Sequence, residues 1–400
     1  MHGAVNIARE ALRGVTYYNP LKAFNGYTLF CPWGDAHASE LMTDVWLIDM
    51  QGNIVHRWKL EYMPAIHAKF LPNGNLAYSI RTKDESEFGL SQEFCAIGTH
   101  VVEVDWDGRE VRRWETPYQH HDFEVLPNNH VLYPSHGEEA GIVPKDLTTK
   151  WKGGRPGSEY QGRMYSDNVY EVDEKGKFVW EWIGWQHADP DIDTFFPFST
   201  RSHWHTNAIW KCKDGTVITS PRNLSMIHRI DPKTNKIVKR YGKGIIWGQH
   251  DTRELDNGNV MCFDNGLTRP GYGPAHSKVV EMDGDTGEVV WEYKADIPSS
   301  FLSLYAAAAE REPNGNTLIC SSATGRLFEV TKEGELVWEF VNPIMSIKRG
   351  VWGGFMFRGQ RILADHPGLK NKDLDPARYP WENKLFGPAA HRKKFEPCLF

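Results

Sequence analysis

The sequence predicts an all-β fold, a six-bladed β-propeller of four-stranded blades. Three observations lead there: a strand–turn–strand unit recurs along the chain, apolar and polar residues alternate within each copy, and the composition holds 16 Trp and 36 Gly in 400 residues. Recurrence at a fixed period is the signature of a repeat architecture. Alternation with period two is that of a half-buried strand. Tryptophan fills wide gaps between sheets, and glycine supplies the positive-φ positions of tight hairpins.

The first half of each unit is a hairpin whose second strand commonly ends in an aromatic residue. Its copies are VWLIDMQGNIVHRW (45–58), VVEVDWDGREVRRW (101–114), NVYEVDEKGKFVWEW (168–182), MIHRIDPKTNKIVKRY (226–241), KVVEMDGDTGEVVWEY (278–293) and RLFEVTKEGELVWEF (326–340). The second half reads FLPNGNLAYS (70–79), VLPNNHVLYPS (125–135), KCKDGTVITS (211–220), ELDNGNVMCFD (254–264) and EPNGNTLICSS (312–322), with a degenerate sixth copy near FRGQRILAD (357–365). Two hairpins make four strands, and six such units occupy residues 27–367. Radial blades solve the problem of exposed sheet edges, whereas a pair of β-sandwiches would not require this period. Residues 1–26 read as a short amphipathic helix and a linker. The Pro- and Lys-rich stretch 368–400 reads as a C-terminal extension looping over the surface.

Charge and targeting signals narrow the function classes. A net charge of −6 argues against a general nucleic-acid binder, which needs a basic face. The six cysteines are spread without a C-x-x-C pair, which predicts free buried thiols rather than a disulfide framework. The opening MHGAVNIAREALRGV places Arg and Glu where a signal peptide needs an apolar run, and no stretch approaches the roughly 18 apolar residues of a membrane span. The expectation is a cytoplasmic protein that engages neither membrane nor nucleic acid. Its oligomeric state is not legible.

Counting back from the turn of each second hairpin gives the candidate site. His121 lies eight residues before Asn129, His250 eight before Gly258, and His205 ten before Gly215. These even separations place three imidazoles from different blades in one phase. Ala307 holds the same place before Gly315, while His67, seven before Gly74, is out of phase unless a bulge corrects it. Counting forward seven from the same turns gives a second ring of Arg81, His136, Arg222, Asn265 and Ser322. Guanidinium groups with amide, imidazole and hydroxyl neighbours suit an oxyanion.

Three local motifs sharpen this. His205-Thr206-Asn207 is followed by Ser220-Pro221-Arg222, Gln249-His250-Asp251 leads to Phe263-Asp264-Asn265-Gly266, and a third strand carries His120-His121-Asp122. In these the chain resembles the arylsulfate sulfotransferase family, six-bladed propellers that move a sulfuryl group between phenols. The resemblance implies that His205 attacks sulfur and carries the group as a sulfohistidine. It implies that Arg222 and Asn207 hold the sulfate oxygens, and that His121 and His250 bind oxygens or act as acid and base. Arg81, His136 and Asn265 would complete the substrate contacts, with Trp204 and Tyr305 stacking on a small aromatic substrate. No cofactor is implied. The chain departs from the family in lacking a visible leader and disulfide, and in the stiffening Pro221 before Arg222.

Two other readings stay open. Convergent imidazoles also suit zinc or a transition metal, with His67, His121, His205 and His250 as ligands, Asp122 or Asp251 orienting them, and a hydrolase, lyase or oxygenase reaction. A non-enzymatic interaction platform would instead place its binding residues on the rims. The insertions 136–167 and 183–203 are candidate lids, and the acidic run Asp189–Asp193 is solvated loop charge or a Ca²⁺ site. Trp180-Glu181-Trp182 and its counterparts read as blade packing.

Overall fold

The computed structural model describes residues 13–34, 40–81, 97–136, 139–267, 269–271, 273–348 and 351–388. The local logic of the repeat is visible in its turns. Asp49 Oδ1 accepts from the N–H groups of Gln51 (2.9 Å) and Asn53 (2.8 Å), and Gly52 between them takes φ 87°. A side-chain-capped turn with glycine in the left-handed region closes the hairpin without strain. The repeated tryptophan has an equally specific task. The indole N–H donates to a turn carbonyl further along the repeat: Trp58 to Asp105, Trp114 to Asn129, Trp182 to Asn235 and Trp338 to Met50, at 2.8–3.2 Å. Each ring is buried, and each polar tip is satisfied.

The chain forms two compact units. The first comprises residues 1–76, 104–109 and 310–400. It holds a four-stranded antiparallel sheet in the order Gly359–Leu363, Gly26–Phe30, Asp44–Ile48, Ile54–Lys59, so the last strand of the repeat closes on the first. It also holds four strands of a five-stranded sheet, Gly14–Tyr18, Leu336–Val341, Arg326–Val330 and Thr317–Ser321. The second unit comprises residues 77–103 and 110–309. Two discrete four-stranded sheets lie in it, Thr206–Lys211 through Lys236–Tyr241 and His250–Glu254 through Val289–Tyr293. Strands Glu110–His120, Val131–Ser135, Asn168–Val172 and Phe178–Ile183 belong to an eight-stranded sheet.

These sheets make the protein an all-β propeller. Six separate four-stranded blades were expected, and among the described residues three separate four-stranded sheets are present. The difference arises because Ser135 pairs with Gln119 and fuses two runs of strands, and because Gly14–Tyr18 adds a fifth strand to another. No described helix is long and apolar enough to cross a membrane, and the described cysteines Cys31, Cys212, Cys262 and Cys320 are free and buried.

Both chain ends differ from expectation. The helix expected near the start lies outside the described residues, and the supposed linker contains Gly14–Tyr18, paired with Leu336–Val341. The C-terminal stretch docks rather than loops. Asn383, in the helix Pro380–Phe386, accepts from Ile54 N–H (2.8 Å) and donates to Ile54 O (2.9 Å). His56 Nδ1 meets the Tyr379 hydroxyl at 2.8 Å, and Arg57 pairs with Glu382 at 3.0 Å. An edge strand leaves backbone groups unpaired, and this amide side chain stands in for the missing partner. Asn383→Ala is expected to lower stability by ~1–2 kcal/mol and to speed proteolysis of residues 368–388. Unchanged denaturation and cleavage would show that the docking contributes nothing.

The two insertions also fold together. Gly153–Arg155 pairs in parallel with Phe195–Thr200, Trp151 donates to Asp193 O (2.8 Å), and Arg201 donates to Thr148 O and Trp151 O (both 2.9 Å). Trp151, Met164, Phe195 and Trp204 join one buried cluster. Asp193 is fully buried between Arg240 (2.6 Å) and His228 (3.0 Å), so the end of the acidic run is an ion-pair anchor.

Candidate active site

The site lies in the second unit, where three strand entries bend in similar fashion. His121 (φ 57°), His205 (φ 61°) and Asp251 (φ 50°) occupy the left-handed region, a conformation that costs a non-glycine residue about 1–3 kcal/mol. One-residue slips follow in the neighbouring strands, between Thr206 and Ile209 and between His250 and Arg253. Carboxylates from elsewhere in the unit hold this irregular backbone. Asp122 Oδ2 accepts from Ile209 N–H (3.1 Å), Asp251 Oδ2 from Ala309 N–H (2.9 Å), and Asp167 Oδ2 from Thr206 N–H. Asp122 and Asp251 therefore brace backbone at positions where ring orientation had been expected of them.

The bends bring imidazoles together. The His121 and His205 rings are 4.5 Å apart, and the charges of Arg222 and His250 act on both. The Nδ1 atoms of His121 and His120 are 2.8 Å apart, and His205 Nδ1 lies 2.6 Å from His203 Nε2. His203 Nδ1 lies 2.8 Å from Ser202 Oγ. Burial first, then the neighbouring charges, hold His120, His121 and His205 well below the usual imidazole range. His203 is lowered to about 3, chiefly by burial. Arg222 is half-buried, its backbone N–H donating to His205 O (3.1 Å) and its guanidinium lying 3.2 Å from Asn223 Oδ1.

His250 is held differently. Asn265 donates both amide hydrogens to carbonyls, Ser303 O and Ala306 O at 2.8 Å, so its oxygen must face His250 Nδ1 at 2.7 Å. That oxygen can only accept, which places the proton on Nδ1 and leaves Nε2 unprotonated in the neutral ring. The turn behind it explains Phe263-Asp264-Asn265-Gly266. Asp264 Oδ1 accepts from Trp247 and Gly266 N–H groups (2.8 and 3.0 Å), and Gly266 sits at φ 68° where a Cβ would meet His276 O at 2.0 Å.

A further tier lies behind. Asp167 is buried 3.4 Å from His136 Nδ1 and 3.8 Å from His120 Nε2. Burial raises its carboxyl, but the His136 hydrogen bond, the nearby imidazole charges and the Thr206 N–H outweigh it and leave it below the usual range. His120, His136 and Asp167 are, among the described residues, the group of three ligand-type side chains whose donor atoms fall within 4.8 Å of one another. The His120 and His136 rings stack face to face at 3.8 Å with 9° between planes. His121, His205 and His250 are not such a group.

The sequence model of the family described as Arylsulfotransferase (ASST) matches residues 98–343 and so spans this whole cluster. The chain belongs to the arylsulfotransferase family. No curated protein matches it. Among solved structures, a protein of unknown function from Bacteroides caccae is 16% identical, with 79% of this chain and 93% of that chain covered at a TM-score of 0.49. A catalytically inactive virginiamycin B lyase from Staphylococcus aureus with quinupristin is 10% identical, covering 82% and 88% at 0.44. The WD40 β-propeller domain of Doa1 is 13% identical, covering 86% and 99% at 0.44.

Within this arylsulfotransferase-family chain the remaining expected residues fall as follows. Asn207 donates to Gln249 O (2.7 Å), bracing the backbone before His250. Asn265 has both amide hydrogens engaged and orients His250. His136 stacks behind the inner rings. Trp204 belongs to the apolar cluster of the insertions, 5.7 Å from the Trp151 ring, which takes it out of the expected stacking role. Tyr305 is half-buried, its carbonyl accepting from Ser303 Oγ (3.0 Å). Arg81 ends the strand Leu76–Arg81, and its side chain is outside the described residues. His67 and Ser322 belong to the other unit: His67 Nε2 is 3.5 Å from Arg358 and its ring lies parallel to Phe357, and Ser322 Oγ donates to Phe357 O (2.8 Å). The sequence motifs name His120 without a role, while Asp167 and His203 close the candidate lids 136–167 and 183–203. The adjacency of His120 to His121, and the His203-Trp204-His205 spacing, were the available signals.

Proposed function

We propose that the protein transfers a sulfuryl group from a donor aryl sulfate to an acceptor phenol, with His250 as the covalent carrier. The observation that carries this reading is the Asn265 lock, which gives His250 one tautomer, with its proton on Nδ1 and Nε2 unprotonated. A nucleophile needs that lone pair at the moment of attack. Attack on sulfur breaks the S–O bond, and the electron pair leaves on the phenolate oxygen. His205 is suited to acid–base work instead, because the Ser202–His203–His205 chain can hold its protons in either of two arrangements. With the proton on His205 Nε2 the ring protonates the departing phenolate. With Nε2 bare it takes the acceptor's proton in the second half-reaction. The proposal thus exchanges the roles that family resemblance suggests for His205 and His250. Arg222 matches the sulfuryl oxygens, and its charge adds to burial in keeping His121, His203 and His205 neutral.

Parallel-line, ping-pong kinetics with 4-nitrophenyl sulfate as donor and phenol as acceptor test the reading. Intersecting lines, or no phenyl sulfate formed, would remove it. Arg222→Ala is expected to weaken inhibition by inorganic sulfate ~10- to 100-fold, the loss of one charged contact, with neutral phenols little affected. Equal loss for both would take Arg222 out of the anion site.

A further inference from the structure

His120 and His203 are enclosed behind the inner imidazoles, each joined ring nitrogen to ring nitrogen to His121 or His205 at 2.8 and 2.6 Å. Two imidazole nitrogens at that separation share one proton. A proton arriving on the far nitrogen of the inner ring is therefore matched by one passing to the outer ring. Both outer rings feel the same buried carboxylate. Asp167 Oδ1 lies 3.8 Å from His120 Nε2, and its charge favours a proton on His203. The charge of Arg222 acts in the opposite sense on His203, His205 and His121. The groups facing His203 include Ser202, His205, His136, Asp167, Arg222, His120 and His121. His136 connects the carboxylate to this pair, its Nδ1 3.4 Å from Asp167 and its ring 5.5 Å from that of His203, so that Asp167 favours and Arg222 disfavours a proton on His203.

We infer that Asp167 and His203 are positioning residues for sulfuryl transfer, forming a proton relay that draws the acceptor's proton away from Arg222. The inference rests on His205 as the acid–base group. In the second half-reaction the acceptor O–H passes its proton to His205 Nε2 as oxygen attacks sulfur. The His205 Nδ1 proton then crosses to His203 Nε2, the S–N bond to His250 breaks, and its electron pair returns to His250 Nε2. In the first half-reaction the same protons move in reverse: His203 Nε2 returns its proton to His205 Nδ1 as His205 Nε2 protonates the departing phenolate. No oxidant, reductant or further reactant is required.

The test compares the wild-type chain with Asp167→Asn and His203→Gln on two donors, phenyl sulfate and 4-nitrophenyl sulfate. Glutamine can still bond His205 Nδ1 but cannot pass a proton through its side chain. Phenolate is a poor leaving group and needs the proton, whereas 4-nitrophenolate does not. In a single turnover without acceptor, both variants are expected to release phenol from phenyl sulfate ~10²-fold more slowly, and nitrophenol from the nitrophenyl ester less than ~5-fold more slowly. Equal losses on both donors, or full activity of His203→Gln, would overturn the relay. Nitrogen-15 spectra of the imidazoles separate this from failure of the proposed reaction. At neutral pH Asp167→Asn is expected to shift the His203 and His205 ring-nitrogen resonances, as the proton they share moves toward His205, whether or not either ester is turned over. Unmoved His203 and His205 resonances would overturn the relay on their own.

Discussion

Replacing His250 with alanine is expected to lower aryl sulfate turnover by ~10⁴-fold or more, because the group that forms the S–N bond is gone. The fold should survive. The ring donates a hydrogen bond to Asn265, and leaving that oxygen unmet costs about 1–3 kcal/mol. His205→Ala should behave differently, since the carrier remains. With 4-nitrophenyl sulfate in a single turnover it should still release nitrophenol in a burst, and then stall for want of a base to activate the acceptor. The reverse pattern, a burst in His250→Ala and none in His205→Ala, would return the carrier role to His205.

The second large effect is on stability. An unfolded imidazole takes its proton near pH ~6.5. In the native chain burial, followed by neighbouring charges, holds His120, His121 and His205 well below that value, and His203 near 3. His56, buried against Trp106, is likewise lowered to about 3, chiefly by burial. As pH falls below the unfolded value, the unfolded chain therefore binds protons that the native chain refuses. Stability is held at neutral pH and lost toward acid, at ~1.4 kcal/mol per pH unit for each such ring. Depressed carboxylates such as Asp167 and Asp193 add to the loss only below their unfolded value near ~3.9. Urea midpoints should drop steeply from pH 6.5 to 5. A flat profile there would mean that these rings are already charged or solvated.

The fold was legible because its grammar is local. An Asx-capped turn recurs in five of the six copies and can be read from a single one, and a tryptophan that donates to a turn carbonyl recurs in four. The edge-capping role of Asn383 was not legible, because its partner Ile54 lies 329 positions away. Residue counting placed His121, His205 and His250 in one phase but could not see the one-residue slips after Thr206 and His250. Those slips are of equal size, so the two strands keep their relative phase. The side-chain amides misled for a plainer reason. Asn207 and Asn265 look like oxyanion donors in sequence, and only the carbonyls of Gln249, Ser303 and Ala306 reveal that their hydrogens are engaged. Asp167 went unseen because nothing in a Ser-Asp-Asn tripeptide announces a buried carboxylate among histidines.

The most direct measurement is to quench the enzyme with donor alone at alkaline pH, where an N-sulfo imidazole survives, and to locate the added SO₃ by peptide mass spectrometry. The account predicts the adduct on the peptide containing His250, formed in Asp167→Asn as well and absent in His250→Ala. An adduct on His205, or none while phenyl sulfate is still made, would contradict it.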